Sequence, residues 1–313
     1  MDADALKTFI AISRSGGFSL AATVLNRSQP AISRRIALLE AELKAPLFER
    51  TGARVVLSEA GHVLLPHAER VLATIEDASR AIHDLRTGAA GPLPIAAVGT
   101  LANANLTSIL KRFARRSPNV GVTLRTATSA EVSALVRGGE VAIGLRYFDD
   151  PAPDLVCHAV ASERLVVACA RHHRLAGKSV SRFTELRSES WVAFPIAPGR
   201  GEPSAQIVHA QFLMRGVAAF AWTPIDSLTA QKRLVEAGYG VALLPESAIE
   251  EELSRKTLAI IGVRDMTAAN PIFAVLRKNG FLSEAAKRFI EMLKANWAGP
   301  AARRAAKLRT VRY

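Results

Sequence analysis

Apolar residues recur at helical spacing through the N-terminal part of the chain, with short polar breaks between them. This periodicity predicts three consecutive helices. They cover residues 2–15, residues 20–26 and residues 28 to about 43. In the third helix the apolar positions predict a buried stripe formed by Ile32, Ile36, Leu39 and Leu43. Ser19 and Ser28 stand where N-caps are expected, and Pro30 falls in a first turn, where its missing N–H is not needed.

The next segment predicts a short β-hairpin, or wing, whose arms lie on either side of Thr51-Gly52-Ala53. Ser58 then caps a helix predicted over residues 59–87. The apolar positions of this helix continue for several turns beyond what one small domain would cover. Such a stripe needs a partner helix, which a second copy of the chain supplies most simply. The second and third helices are short and joined by a tight turn, and the polar, arginine-bearing face of the third suits a helix that enters the DNA major groove. We therefore expect a DNA-binding head over residues 1–58, and a pairing helix and hinge over residues 59–90.

From residue 91 the pattern changes to alternating strands and helices, which predicts an α/β domain over residues 91–297 with a mainly parallel sheet. Residues 156–160 and 164–170 are predicted as two separate strands. The chain crosses back near residues 265–270, so we expect two lobes with a cleft between them. Lobe I is expected at about 91–161 and 268–297, and lobe II at about 162–267. Residues 298–313 are basic and are expected to form a disordered tail.

The formal charge is +13, but it is unevenly distributed. Residues 1–90 contain 11 basic and 10 acidic side chains, whereas residues 298–313 contain 5 basic side chains and no acidic ones. The N-terminal domain is therefore nearly neutral. Any affinity of this domain for DNA must come from the placement of individual arginines.

Other function classes find little support in the sequence. No Gly-x-Ser-x-Gly elbow, phosphate loop or Cys/His metal set is present, so we expect no enzyme activity, no cofactor and no metal. His172-His173 is interpreted as a surface turn. Cys157 and Cys169 are expected to be buried thiols, with a redox switch as the alternative. The acidic start of the chain and the lack of an 18-residue apolar run predict a cytoplasmic protein that does not contact a membrane.

Several segments resemble one family of proteins, the LysR-type transcriptional regulators. The matching segments are Gly17-Phe18-Ser19-Leu20-Ala21-Ala22, Ser28-Gln29-Pro30-Ala31-Ile32-Ser33-Arg34, Leu47-Phe48-Glu49-Arg50, Leu57-Ser58-Glu59-Ala60-Gly61 and, more loosely, Gly238-Tyr239-Gly240-Val241-Ala242-Leu243-Leu244-Pro245. The resemblance implies a winged helix–turn–helix domain over residues 1–58, a dimerising linker helix and hinge over residues 59–90, and an effector domain like type 2 periplasmic binding proteins over residues 91–297. It also implies a homotetramer that binds an interrupted inverted repeat in double-stranded DNA.

The third helix is the predicted recognition helix. Gln29 can pair with an adenine edge, Arg34 or Arg35 with guanine, and Ser33 can donate or accept. The remaining arginines are expected to contact phosphates or the minor groove. The full set of predicted DNA-binding residues is Ser19, Arg27, Ser28, Gln29, Pro30, Ser33, Arg34, Arg35, Arg50 and Arg54.

The cleft is the predicted site for a small anionic effector. Arg146 follows a strand predicted to end at Leu145, and its forked guanidinium suits a carboxylate. The alternative is that Arg146 does not bind a ligand and instead forms a surface ion pair with Asp149 or Asp150. Helix starts near Thr100 and Thr128 also favour anions. The predicted effector-binding residues are Thr100, Leu101, Thr128, Ser129, Arg146, Phe194, Pro195 and Ser227.

Together these features predict a ligand-responsive, DNA-binding transcriptional regulator. Its expected partners are double-stranded DNA, further copies of the chain through the long helix and the effector domains, a small-molecule effector and RNA polymerase. The alternative is an architectural DNA-binding protein that has no small-molecule effector.

Overall fold

The computed structural model describes residues 1–51, 54–87, 91–102, 104–196, 203–216 and 222–297. They form two compact units, one built mainly from residues 1–86 and the other from most of the remainder. Most of the predicted linker, residues 88–90, and the predicted basic tail, residues 298–313, lie outside the described residues. Each helix in the described ranges is too short or too polar to cross a bilayer.

The N-terminal unit is a three-helix head followed by a hairpin and a long helix. Its elements are α1 (Ala3–Ser15), α2 (Phe18–Val24), α3 (Gln29–Leu43), β1 (Phe48–Thr51), β2 (Arg54–Leu57) and α4 (Glu59–Thr87). Phe9 is fully buried, and its ring lies 5.3 Å from that of Phe48, so the hairpin completes the core. The predicted stripe of α3 is buried except at Leu43, which is 38% exposed because it is the last residue of the helix.

The C-terminal unit alternates strands and helices. Its elements are β3 (Pro92–Val98), α5 (Ala104–Arg116), β4 (Gly121–Ala127), α6 (Ser129–Arg137), β5 (Ile143–Tyr147), β6 (Leu155–Ala170), β7 (Ser179–Val180), β8 (Trp191–Ala193), α7 (Pro203–Leu213), β9 (Trp222–Pro224), α8 (Leu228–Glu236), β10 (Ala242–Pro245), α9 (Glu250–Arg255), β11 (Leu258–Val263), β12 (Ala269–Arg277) and α10 (Glu284–Asn296). Three short 3₁₀ turns add to these at Gly99–Leu101, Phe183–Leu186 and Glu246–Ile249.

The main sheet is mixed, so the expectation of a mainly parallel sheet is wrong. Its strand order is β4-β3-β5-β12-β6-β11-β7, with β10 also paired to β6. The pairs β3–β4, β3–β5 and β11–β7 are parallel. The returning strand β12 is antiparallel to both β5 and β6, and β10 and β11 are antiparallel to β6. The return of the chain through β12 therefore sets the mixed topology.

Strand β6 is one continuous strand of 16 residues, where two strands were predicted. Its first part pairs with β12, and its last six residues pair with β10 and β11. Pairing with β12 continues through Ser162-Glu163-Arg164, with a shift of register between Ile272 and Phe273. The ladder thus keeps this polar stretch extended, and β6 runs from one lobe into the other.

The lobes have separate hydrophobic cores. The buried residues of the first core all lie within residues 93–160 and 272–297, where the rings of Phe113 and Phe289 meet edge-on at 5.2 Å. The buried residues of the second lobe lie within residues 165–268, in two adjoining clusters. The ring of Trp191 is fully buried there and meets Phe212 edge-on at 4.6 Å. β6 and β12 are shared, and the lobes face each other across a cavity.

Candidate DNA-binding face and effector cavity

The turn between α2 and α3 sets the geometry of the helix–turn–helix. Asn26 has φ of 51°, in the left-handed region that Asn tolerates better than most residues. Its N–H donates to the carbonyl of Thr23 at 3.1 Å, which closes the end of α2. Ser28 is the N-cap residue of α3 as predicted, although its side chain makes no capping hydrogen bond, and Pro30 occupies the first turn.

The predicted cap of α2 is wrong. Gly17 is the N-cap, in extended conformation, and Ser19 lies inside the helix. The start of α2 lies earlier than predicted because the chain reverses at Gly16, whose φ of 69° suits glycine. Ser19 is exposed on α2 and so still faces solvent.

The outward side of α3 presents the predicted recognition residues. Gln29 and Arg34 are exposed, and Ser33 and Arg35 are partly exposed. The Gln29 Nε2 donates to the Ser33 hydroxyl at 3.2 Å, one helical turn away. Within the described residues, no ion pair occupies the guanidinium of Arg34. The first two turns of α3 therefore offer amide, hydroxyl and guanidinium groups on one face.

Asp4 holds two of the predicted DNA-contacting arginines. Arg27 donates to both carboxylate oxygens of Asp4, at 2.7 and 3.1 Å, and Arg35 donates to the same carboxylate. All three side chains are between 32% and 40% exposed, so solvent screens the pairs. The guanidinium groups of both arginines are therefore engaged by Asp4 in the structure without DNA.

The wing packs tightly against the start of α4. The Ser58 hydroxyl accepts from the N–H of Gly61 at 3.0 Å and donates to the carbonyl of Pro46 at 2.5 Å, so the predicted cap is confirmed. A side chain on Gly61 would lie 2.2 Å from the Leu47 carbonyl oxygen, which is far closer than contact allows. Arg50 and Arg54 lie in the paired strands β1 and β2, but their side chains, like the tip Gly52-Ala53, lie outside the described part of the chain.

Helix α4 has two apolar faces with different surroundings. One face packs on the core of the head, through Ala60, Leu64, Leu65, Ala68 and Leu72. The other is exposed, and it consists of Val63, Val71, Ile75, Ile82 and Leu85, the last 86% exposed. An exposed apolar stripe of this length is typical of a protein–protein contact.

A cavity of about 1160 Å³ lies between the lobes of the C-terminal unit. It is lined by the carboxyl ends of β3 and β4, the start of α8 and the segment after β10. Five of the eight predicted effector residues line it, namely Thr100, Thr128, Phe194, Pro195 and Ser227. Leu101 and Ser129 are buried behind it in the first lobe. The carboxyl ends of parallel strands are the usual place for ligands in α/β sheets.

Arg146 does not line the cavity, and the expectation that it reaches the cleft is wrong. It lies within β5 rather than after it, and its side chain is buried. Its Nη1 donates to the Ser133 hydroxyl at 2.7 Å and to the Asp150 carboxylate at 2.5 Å. The ion pair with Asp150 was the predicted alternative, although it is buried rather than at the surface. The argument from Arg146 for an anionic effector is thereby removed.

Charged side chains on the cavity wall are mostly acidic. Among the described lining residues, the acidic ones are Glu131, Asp226, Glu250 and Glu251, and the basic ones are Lys111 and Lys232. Lys232 is already paired with Glu252 at 2.7 Å and donates to the Ala248 carbonyl at 3.1 Å. Lys111 is thus the one basic group on this described wall that is not held by such a pair.

Glu131 closes the start of α6. Its carboxylate accepts from the N–H of Thr128 at 2.8 Å and from the Thr128 hydroxyl at 2.9 Å. These hydrogen bonds lower the pKa of Glu131, because they stabilise its charged form. The Thr128 N–H is therefore occupied by a protein carboxylate, and the helix start predicted to attract an anion already has one.

The cysteines and histidines support no redox or metal site in the described chain. Cys157 and Cys169 lie twelve residues apart on β6, which places them about 40 Å apart along an extended strand. Burial raises the pKa of Cys169 to about 11. His173 lies in a turn, with its Nε2 3.2 Å from Glu189. No group of three potential metal ligands occurs among the described residues.

Sequence reasoning missed four buried polar residues beside the cavity. They are Tyr147, which lies just beyond the strand predicted to end at Leu145, Glu163, which lies between the two predicted strands 156–160 and 164–170, and Gln231 and Asn270. The single carboxylate within the apolar run of β6 was the one signal that could have drawn attention to Glu163. Its partners, the Tyr147 and Ser247 hydroxyls at 2.8 and 2.7 Å, are distant in sequence.

The chain combines a helix–turn–helix head, which has a polar recognition face, with a two-lobed domain that contains a cavity. This combination defines the class of protein: a DNA-binding transcriptional regulator with a substrate-binding domain. Residues 3–62 match the model of the bacterial regulatory helix-turn-helix protein of the LysR family, and residues 86–298 match that of the LysR substrate binding domain. The chain belongs to the LysR family of transcriptional regulators.

Individual relatives agree with this assignment. A probable RuBisCO transcriptional regulator of Synechocystis sp. is 27% identical over 92% of this chain and 84% of its own length. The crystal structure of CbnR, a LysR family transcriptional regulator, superposes with a TM-score of 0.65 at 25% identity, over 95% of this chain and all of CbnR. Full-length CbnR in complex with its target DNA gives a TM-score of 0.63 at 26% identity, with 95% of this chain and 100% of CbnR covered.

Proposed function

We propose that this chain is a ligand-responsive regulator whose helix α3 reads base pairs and whose interlobe cavity binds a small-molecule effector. The observation that supports the first part most strongly is the solvent-facing side of α3, where Gln29, Ser33 and Arg34 project from the first two turns. Side chains in these positions of a helix–turn–helix contact base edges in the major groove. Arg27, Arg35, Arg50 and Arg54 position the head on the phosphates, together with Ser19 and Ser28.

The exposed apolar stripe of α4 supports self-association. We propose that two copies pair through this stripe and that effector domains complete a tetramer, so that the heads bind an interrupted inverted repeat. Two heads on one face of DNA require a defined half-site spacing. Such a regulator acts where bacterial DNA lies, in the cytoplasm, and acts on transcription through RNA polymerase.

The cavity supports the regulatory part of the proposal. A volume of about 1160 Å³ between two lobes is large enough for a metabolite. Thr100, Thr128, Phe194, Pro195 and Ser227 are the proposed contacts. An effector changes DNA binding only if it prefers one arrangement of the lobes, since equal affinity for both shifts no population. The alternative, an architectural DNA-binding protein without an effector, gives no role to this cavity.

The test is selective DNA binding by the full chain. Fluorescence anisotropy compares a duplex from the gene's own upstream region with a random duplex at near-physiological salt. We expect Arg34→Ala to lower affinity for the upstream duplex by about 5- to 150-fold, as loss of one bidentate base contact should, with little change on random DNA. Arg288→Ala, at an exposed arginine of α10, is the matched control. Equal affinity of the wild-type chain for both duplexes would remove the proposed function.

A further inference from the structure

A small inner chamber opens beside the effector cavity and shares Thr100 and Phe194 with it. Its volume is about 20 Å³, which is room for roughly one water-sized group. A carboxylate head, with three heavy atoms, is too large for it. Among the described residues, no charged side chain lines the chamber. The chamber therefore suits a single-atom polar head at the end of a ligand whose body occupies the larger cavity.

Two buried amides line this chamber, and some of their polar atoms have no partner in the described structure. Asn270 is 1% exposed, and neither its Oδ1 nor its Nδ2 is hydrogen-bonded within the described structure. Gln231 is also 1% exposed; its Nε2 donates to the Ile225 carbonyl at 2.8 Å, but its Oε1 has no partner there. Buried polar groups are nearly always paired in folded proteins, so two such amides at one chamber favour a polar group bound between them.

The surroundings favour a positive head group. Glu163 is buried directly behind the chamber wall, where it accepts from the lining residue Tyr147 at 2.8 Å and stands opposite Asn270 in the β6–β12 ladder. The Ser247 hydroxyl also donates to this carboxylate, at 2.7 Å. In addition, the described outer wall has four acidic side chains, of which Glu251 is paired with Arg255 at 2.7 Å, and two lysines, of which Lys232 is paired with Glu252.

We infer that the effector is a small primary amine whose ammonium group enters the inner chamber, an inference that rests on the proposed function of the cavity. The ammonium N–H groups donate to Gln231 Oε1 and Asn270 Oδ1. An oxygen atom on the ligand close to the ammonium, as in amino alcohols, accepts from Asn270 Nδ2. The acidic outer wall raises the local concentration of such cations and disfavours organic acids.

Three four-carbon compounds that differ in one terminal group test this inference. They are 1-amino-2-butanol, 1,2-butanediol and 2-hydroxybutyrate, each of which has a hydroxyl next to the variable group, and each is titrated calorimetrically into the full-length protein. Hydrogen bonds from a charged donor are stronger than neutral ones, so we expect the amine to bind about tenfold more tightly than the diol. The hydroxy acid should bind most weakly. An amine that binds no better than the diol, or an acid that binds best, overturns the inference.

Substitutions in the inner chamber and on the outer wall distinguish binding inside the chamber from a general electrostatic attraction. Asn270→Leu keeps a similar shape and should abolish the preference for the amine, while thermal unfolding is unchanged or shifts upward because the unpaired amide is gone. An Asn270→Leu protein that keeps the preference would show that the chamber holds only water, and would overturn the assignment.

The outer wall is tested separately. Glu250→Gln, on this wall, should weaken binding of the amine alone, whereas Glu291→Gln, on α10, is the matched control and should leave it unchanged. Selective DNA binding is measured on the same samples. If the amine does not bind but DNA selectivity remains, only this inference fails; if DNA selectivity is absent, the proposed function fails.

Discussion

Replacing Asp4 by asparagine should strengthen the salt dependence of DNA binding. In the free protein this carboxylate accepts two hydrogen bonds from Arg27 and another from Arg35. Asparagine removes the negative charge while preserving the side-chain shape. The guanidinium groups are then released from an ion pair, and at least one becomes available to a DNA phosphate.

The structural cost of this substitution is small. The ion pairs are partly exposed and worth no more than about 1 kcal/mol. Asp4 also lies in the first turn of α1, where a negative charge contributes roughly 0.3–1 kcal/mol through the helix dipole. A loss of about 1–2 kcal/mol leaves the head folded at room temperature, where binding is measured.

The effect on binding follows from counterion release. Each additional phosphate contact changes the slope of log K against log salt by about −0.9. Between 50 and 200 mM salt, one new contact should enlarge the fall in affinity by about 3.5-fold for each head that is bound. Fluorescence anisotropy at several salt concentrations, with full-length wild-type and Asp4→Asn proteins, measures this slope.

Glu291→Gln is the matched control, because Glu291 pairs with Lys294 at 3.3 Å on the surface of α10. Its slope should equal that of the wild-type protein. If Asp4→Asn lowers affinity for the upstream duplex at an unchanged slope, Asp4 orients the arginines for DNA instead of competing with it, and the reasoning above is refuted.

Three further predictions concern packing, thiol chemistry and pH. Gly144→Ala should destabilise the C-terminal unit by about 1–3 kcal/mol in urea unfolding, because its Cβ would lie 2.7 Å from a methyl group of Val132; wild-type stability would contradict the predicted clash. Cys169 should react with a thiol reagent only after unfolding, since burial raises its pKa to about 11, and rapid labelling of the native protein would disprove this. Hydrogen bonds from Thr128 lower the pKa of Glu131, so its contribution to stability is full above the ordinary value of about 4.3 and is lost as pH falls through the lowered pKa. Glu131→Gln should therefore differ most from the wild-type protein above about pH 5, and a difference that grows towards pH 3 would contradict the assignment.

The head could be predicted almost residue by residue, because its determinants are local. Apolar spacing defines α1 and α3, and Gly16 and Pro30 mark where helices end and begin. The error at Ser19 is also local. Gly17 adopts an extended conformation immediately after the Gly16 reversal and takes the cap position, so α2 starts before the serine that seemed suited to cap it.

The sheet of the C-terminal unit was less predictable, because the incorrect predictions concern strands and side chains whose pairing partners are distant in sequence. The polar stretch around Glu163 looks like a break between strands. In the fold, β12 supplies a continuous ladder there, and hydroxyls from Tyr147 and Ser247 satisfy the carboxylate. The strand at Leu258–Val263 was not predicted, although it pairs with the end of β6. The pairing of β12 and β11 with β6 could not be inferred from the spacing of apolar residues near Glu163.

The effector site shows why total charge is a poor guide to ligand chemistry. The chain is strongly basic overall, yet a charge attracts a ligand only if no protein group already neutralises it. Arg146 is paired with Asp150, and Lys232 is paired with Glu252. Glu251 is likewise paired with Arg255, so the charged groups left on the described wall are Glu131, Asp226, Glu250 and Lys111, beside the unpaired amide atoms of the inner chamber. The anionic effector was predicted from Arg146 and from the helix starts near Thr100 and Thr128. Because Asp150 pairs with Arg146 and Glu131 accepts from Thr128, that support is lost, and the proposed amine fits the remaining groups better.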